Sequence, residues 1–134
     1  MDTVRSVLLL IPGVIHLLPI SGVLGGPRLS ALYGIGIADT NLLILMQHRA
    51  VVLGLLGVLL IMAAFRASLQ LLAILAGLIS TISFIVLVLW TGGYNESIQR
   101  VLYADVLAVV CLLVAAITLY LSSTTQPGRS QGAR

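Results

Sequence analysis

The residues whose types could do chemistry are few, and they lie inside or beside long apolar runs. His16 and His48 are the only histidines, and a histidine pair in apolar helices is typical of axial haem ligation. Gln47, His48 and Arg49 precede one apolar run, and Asp105 precedes another. Ionisable side chains in such places are also typical of a binding site for a quinone or an anionic head group.

We therefore predict a candidate small-ligand site formed by His16, His48, Arg49 and Asp105. Asn41 is a further candidate because it lies seven residues before His48, on the same helix face. Quinone, lipid and haem remain open as ligands, and neither a catalytic residue nor a metal ligand is predicted. A structural interpretation also stays open, in which these residues only cap helices, form hydrogen bonds and fix the bundle through ion pairs.

The composition indicates the environment of these residues. The chain has 134 residues, of which 60% are hydrophobic and only 8% charged, whereas soluble domains carry about 25% charged residues. The lipid bilayer is therefore the predicted partner of most of the surface. The net charge of +3 is too small and too scattered for a nucleic-acid footprint. Cys111 is the single cysteine, so it has no disulfide partner within the chain.

The apolar runs predict an all-α membrane protein with a four-transmembrane-helix bundle. Residues 1–122 form one domain, and the polar tail 123–134 is expected to be disordered and cytoplasmic. Glycines and a proline argue against regular helix in the connection 25–38, apart from one turn at 29–33. The predicted helices are residues 4–24, which Pro12 and Pro19 should kink or break, 40–65 with Asp39 or Thr40 as N-cap, 68–90 and 98–121.

Depth can be calculated from the two clean apolar runs, 50–65 and 106–121, which have 16 residues each. Each spans about 24 Å, less than the hydrocarbon thickness of about 30 Å. Arg49 lies 17 residues before Arg66, and Asp105 lies 17 residues before Ser122. The spacing predicts that Arg49 and Asp105 have equal depth and pair directly or through water.

His16 is predicted to lie deeper, because it follows Arg5 by 11 residues, or about 16 Å of helix. Ser80 and Cys111 are its predicted hydrogen-bonding neighbours. The same calculation separates His16 from His48 by roughly 10 Å along the membrane normal, which argues against a haem shared by the two histidines.

The arginines predict the orientation of the chain. Four of them fall on the side of the termini, and three fall on the side of the long connections: Arg5, Arg66, Arg129 and Arg134 against Arg28, Arg49 and Arg100. Both termini are therefore expected in the cytoplasm, and in a bacterium the chain would cross the inner membrane several times.

Enzyme signatures are missing from the sequence: GxxxxGK[ST], GxSxG and HExxH do not occur. The leading hypothesis is therefore a small accessory or structural membrane protein without catalytic activity. It would work through helix contacts with other subunits, or with itself, in a larger inner-membrane assembly. The alternative hypothesis is a redox-associated protein that binds quinone, lipid or haem in its outer half.

Several short stretches carry a family resemblance over residues 8 to 115. Together they resemble a group of small bacterial four-helix membrane proteins, DoxX-like in size and layout: IHLLP at 15–19, GVLG at 22–25, HRAV at 48–51, GLLG at 54–57 and GGYN at 92–95. The resemblance implies a four-helix membrane fold without an established activity. Members often carry the label phosphopantetheine adenylyltransferase. We judge that label wrong for this chain, since the soluble enzyme of that name has an α/β fold and an HxGH motif that is lacking here.

Overall fold

A computed structural model describes residues 3–125, which are helical over most of their length and contain no strand. The α-helices are α1 (Thr3–Leu17), α2 (Gly26–Tyr33), α3 (Thr40–Phe65), α4 (Gln70–Thr91) and α5 (Glu96–Thr124). Four apolar helical spans are long enough to cross a membrane: Thr3–Leu24, Thr40–Phe65, Ala67–Thr91 and Glu96–Thr124. The predicted all-α bundle of four transmembrane helices is confirmed, and the chain is a multi-pass membrane protein.

The first span changes its helix type where the prolines predict a break. Helix α1 ends at Leu17 and continues as a 3-10 helix over Leu18–Leu24, with Pro19 in its first turn. Proline has no backbone N–H to donate to the preceding turn, so the regular α-helical ladder cannot pass through it. Pro12 is accommodated inside α1.

The connection after the first span is more helical than predicted. Gly26–Tyr33 forms the complete helix α2 rather than a single turn at 29–33. Pro27 lies in its first turn, where a missing N–H costs nothing. Gly34 ends the helix in the left-handed conformation, with φ 64°, which glycine adopts without a steric penalty.

Side-chain caps set two of the other helix starts. Helix α3 has the predicted bounds, and Asp39 Oδ1 accepts the Leu42 N–H at 2.8 Å. Helix α5 starts at Glu96, two residues earlier than predicted, because Asn95 Oδ1 accepts the Ile98 N–H at 2.9 Å. Its end at Thr124 extends beyond the predicted Leu121. Residues 126–134 of the predicted tail lie outside the described residues.

The four spans form a ring in which α1 and α4 each pack against both α3 and α5. We call the end with the start of α1, the α3–α4 turn and the end of α5 the base, and the opposite end the mouth. The close-packed core lies towards the base and is rich in alanine: Leu9, Leu60, Ala63, Ala64, Ala73, Ile74, Leu112 and Ala115. Small side chains let helix backbones approach closely in a membrane.

Gly57 marks the closest approach between α1 and α3. A Cβ atom at this position would lie 2.8 Å from the Gly13 carbonyl oxygen and 3.0 Å from the Leu17 nitrogen. Both atoms belong to the backbone, so they cannot move aside by a change of rotamer.

We expect the substitution Gly57→Ala to lower the free energy of unfolding by about 1–3 kcal/mol, because overpacking forces α1 and α3 apart. The measurement is SDS-induced unfolding of the protein in mild detergent micelles. Gly36→Ala is the matched control, because a Cβ at Gly36 would meet nothing within 4 Å beyond its chain neighbours. Equal stability of the two variants would contradict the close contact.

Candidate functional site

A cavity of about 410 Å³ lies in the mouth half of the bundle, among all four spans and α2. Most of its lining is apolar. Leu18 and Leu87 belong to this lining and are both 64% exposed, so the cavity reaches the lipid-facing surface. The polar and ionisable lining residues are His16, Tyr33, Arg49, Ser80, Ser83, Arg100 and Asp105.

Three of the five predicted site residues meet at this cavity: His16, Arg49 and Asp105. His48 and Asn41 do not line it, and both are exposed. Residues adjacent in a helix point in different directions. Because Arg49 of α3 lines the cavity, the neighbouring His48 points away from it. The structure therefore brings three of the five predicted residues together at this cavity and leaves His48 and Asn41 outside it, and a ligand site at these residues stays a prediction.

Arg49 is held by two aromatic rings. Its guanidinium carbon lies 5.3 Å from the ring centroid of Tyr33 and 5.4 Å from that of Phe84, within the range of cation–π attraction. The predicted direct pair with Asp105 is not seen. Both residues line the cavity and interact electrostatically, but among residues 3–125 neither a hydrogen bond nor an ion pair joins them. A contact through water stays a prediction.

His16 is oriented by its own helix. Its Nδ1 atom lies 2.8 Å from the Pro12 carbonyl oxygen, and a carbonyl can only accept, so Nδ1 donates. The predicted neighbours Ser80 and Cys111 form no hydrogen bond with this ring in the described part of the chain. Ser80 shares the cavity with His16, whereas Cys111 does not line it.

His16, Arg49 and Asp105 line the cavity and keep polar atoms that form no hydrogen bond with the described residues. Across the described residues, Gln70 Nε2 is the single fully enclosed side-chain nitrogen or oxygen without a hydrogen-bond partner. His16 is only 4% exposed, yet its unpaired Nε2 is not enclosed, so Nε2 borders the cavity. Arg49 and Asp105 likewise lack side-chain hydrogen bonds within residues 3–125. The polar groups of His16, Arg49 and Asp105 thus lie beside unfilled space inside the bundle.

Asn95 fixes the short helix that covers the mouth. Its Nδ2 donates to the carbonyl oxygens of Tyr33 at 2.9 Å and Gly34 at 3.2 Å, while its Oδ1 caps α5. One side chain therefore connects the end of α2 to the start of α5. It also keeps Tyr33 beside Arg49. The sequence analysis noted Asn95 only within the stretch GGYN at 92–95, although an Asn before a helical run is an N-cap signal.

Asn95→Asp separates these two roles, because a carboxylate retains the capping acceptor and loses the amide donor. We expect α5 to stay intact and the backbone amides at the end of α2 to exchange hydrogen about tenfold faster, because both hydrogen bonds from Asn95 Nδ2 are lost. Hydrogen exchange measured by mass spectrometry tests this. Asn41→Asp is the matched control on an exposed side chain. Unchanged exchange in α2 would contradict the connection.

A second polar cluster, at the base, escaped the sequence analysis. Arg5 is 7% exposed, and its guanidinium donates to Gln70 Oε1 at 3.2 Å, Thr118 Oγ1 at 3.2 Å, the Thr118 carbonyl at 2.8 Å and Ser122 Oγ at 2.7 Å. This residue joins α1, α4 and α5. The sequence indicated only a topology signal, because the partners are distant along the chain.

No protein-family model, curated protein or solved structure matches the chain. The family resemblance stated above stays a prediction. Within residues 3–125, no group of three His, Cys, Asp or Glu side chains is arranged to hold a metal ion.

Proposed function

We propose that the protein binds a lipid-soluble small molecule, such as a quinone or a lipid, in the mouth-half cavity. The observation that carries this proposal is that His16, Arg49 and Asp105 line one cavity with polar atoms that have no hydrogen-bond partner among the described residues. Unpaired polar groups inside a membrane protein are costly. A ligand with a matching polar end offsets that cost.

The size and position of the cavity support the same proposal. Its volume of about 410 Å³ falls in the range of small-molecule sites, about 300–1,000 Å³. The exposed rim at Leu18 and Leu87 gives an apolar tail a route into the bilayer. A bis-histidine haem is less well supported, because His48 lies outside the cavity.

The family resemblance supports a location in a bacterial inner membrane, and the arrangement of arginines supports an orientation with both termini in the cytoplasm. The base would then face the cytoplasm, and the cavity would open near the periplasmic side. Assembly with other membrane subunits, or with further copies, remains part of the proposal. It is supported by how little of the described chain lies outside the four spans. No catalytic role is included.

Mass spectrometry of the organic extract, together with an absorption spectrum, tests ligand binding on protein purified in mild detergent. We expect one lipid-soluble molecule to be retained in near-stoichiometric amount. Ala104→Phe should displace it by filling the cavity, since Ala104 lines the cavity wall. Leu107→Phe is the control on the same helix, at a 51% exposed side chain. An empty wild-type protein, or equal retention by both variants, would overturn the proposal.

A further inference from the structure

We propose that the cavity selects ligands whose polar end both accepts and donates hydrogen bonds, that is, a hydroxylated lipid-soluble molecule. This inference rests on the proposed function and specifies its ligand class. It follows from the hydrogen-bonding capacities that Arg49, His16 and Asp105 leave open.

Arg49 requires an acceptor on the ligand. A guanidinium carries five N–H donors and no acceptor, and within the described chain none of these donors has a protein partner. Tyr33 and Phe84 lie 5.3 and 5.4 Å away as ring contacts. They hold the group in the cavity wall without consuming its N–H donors. Arg100, which also lines the cavity, adds further donors.

His16 and Asp105 require a donor on the ligand. Because His16 Nδ1 donates to Pro12 at 2.8 Å, the Nε2 atom of the neutral ring is left as an acceptor. An ionised carboxylate at Asp105 is acceptor-only as well. The cavity therefore presents acceptors as well as the donors of Arg49, and a hydroxyl is a single group that can pair with either kind.

Other head groups match less well. An ether or ester accepts from Arg49 but leaves the acceptors of His16 and Asp105 unpaired. A phosphate dianion accepts from Arg49 and Arg100, but it offers no donor to His16 or Asp105, and its charge repels the Asp105 carboxylate. The mostly apolar lining also suits an apolar body with a single hydroxyl better than a highly charged group.

The test compares 4-nonylphenol with its methyl ether, 4-nonylanisole, which differ in the hydroxyl donor. Binding to the delipidated protein is measured by native mass spectrometry, with dodecyl phosphate as the anionic probe. We expect the phenol to bind at least about tenfold more tightly than the ether, the effect of one unmade hydrogen bond to a charged group. Asp105→Asn should reduce this preference, and Asp39→Asn, at a helix cap that does not line the cavity, should leave it unchanged.

Equal binding of phenol and ether would overturn this inference and leave ligand binding itself standing. Tighter binding of dodecyl phosphate than of the phenol would overturn it as well. Binding of none of the three probes would overturn the inference if the purified protein retains a native molecule. If the purified protein binds none of the probes and also retains no native molecule, both this inference and the proposed function are overturned. A preference that Asp105→Asn does not alter would remove Asp105 from the site.

Discussion

Replacing Arg5 with methionine is expected to lower the free energy of unfolding by about 3 kcal/mol, because it leaves buried acceptors unpaired. The main cost falls on Gln70, which is fully buried and whose Oε1 accepts from Arg5. Its Nε2 has no partner within residues 3–125 even with Arg5 in place. In the variant, neither the oxygen nor the nitrogen of the Gln70 amide therefore has a hydrogen-bond partner. SDS-induced unfolding in mild detergent micelles measures the effect.

A second substitution shows whether the unpaired Gln70 amide causes the loss of stability. Gln70→Leu removes the unpaired group and should restore much of the stability in the Arg5→Met background, giving a favourable coupling in a double-mutant cycle. Arg66→Met is the control, because Arg66 is exposed at the same end of the bundle. A stable Arg5→Met variant, or additive effects of the two substitutions, would contradict this explanation.

Replacing Arg49 with methionine is expected to weaken ligand binding by at least about tenfold and to change the free energy of unfolding by less than about 1 kcal/mol. Hydrogen bonds to charged groups contribute about 1.5–3 kcal/mol, and the ligand would lose its donor. Stability should hardly change, because the lost ring contacts are offset by removal of a partly buried charge without an ion pair.

The measurements for Arg49→Met are ligand retention after purification and SDS-induced unfolding, both relative to the wild type. Arg28→Met is the matched control. Arg28 donates to Ser21 Oγ at 3.3 Å and does not line the cavity, so retention should stay at the wild-type level. Loss of stability in parallel with binding would indicate a structural role for Arg49 instead.

The fold was largely predictable because membrane helices have a strong local signal. Runs of about 20 apolar residues, the prolines of the first span and the Asp39 cap act over a few neighbouring residues. Helix α2 was underestimated because Gly26 and Pro27 were interpreted as helix breakers. At the first turn of a helix, however, these residues are tolerated.

The candidate site was only partly predictable because depth follows from counting residues, whereas direction around a helix depends on packing. Counting residues along the helices predicted that Arg49 and Asp105 lie at the same depth in the membrane, and the structure places both at one cavity. It did not indicate that His48 faces outward or that Tyr33 would hold Arg49. Arg5 was missed for a related reason, since its partner Thr118 lies 113 residues away.

The separation between a tightly packed base and a hollow mouth has an evolutionary consequence. The residues that hold the helices together, such as Gly57 and Ala73, lie outside the cavity lining. If the cavity binds a ligand as proposed, substitutions at cavity positions such as Ser80 and Ala104 can therefore alter ligand preference at little cost in folding. Such a bundle is evolvable in the specific sense that new binding properties can arise in the mouth half on an unchanged scaffold.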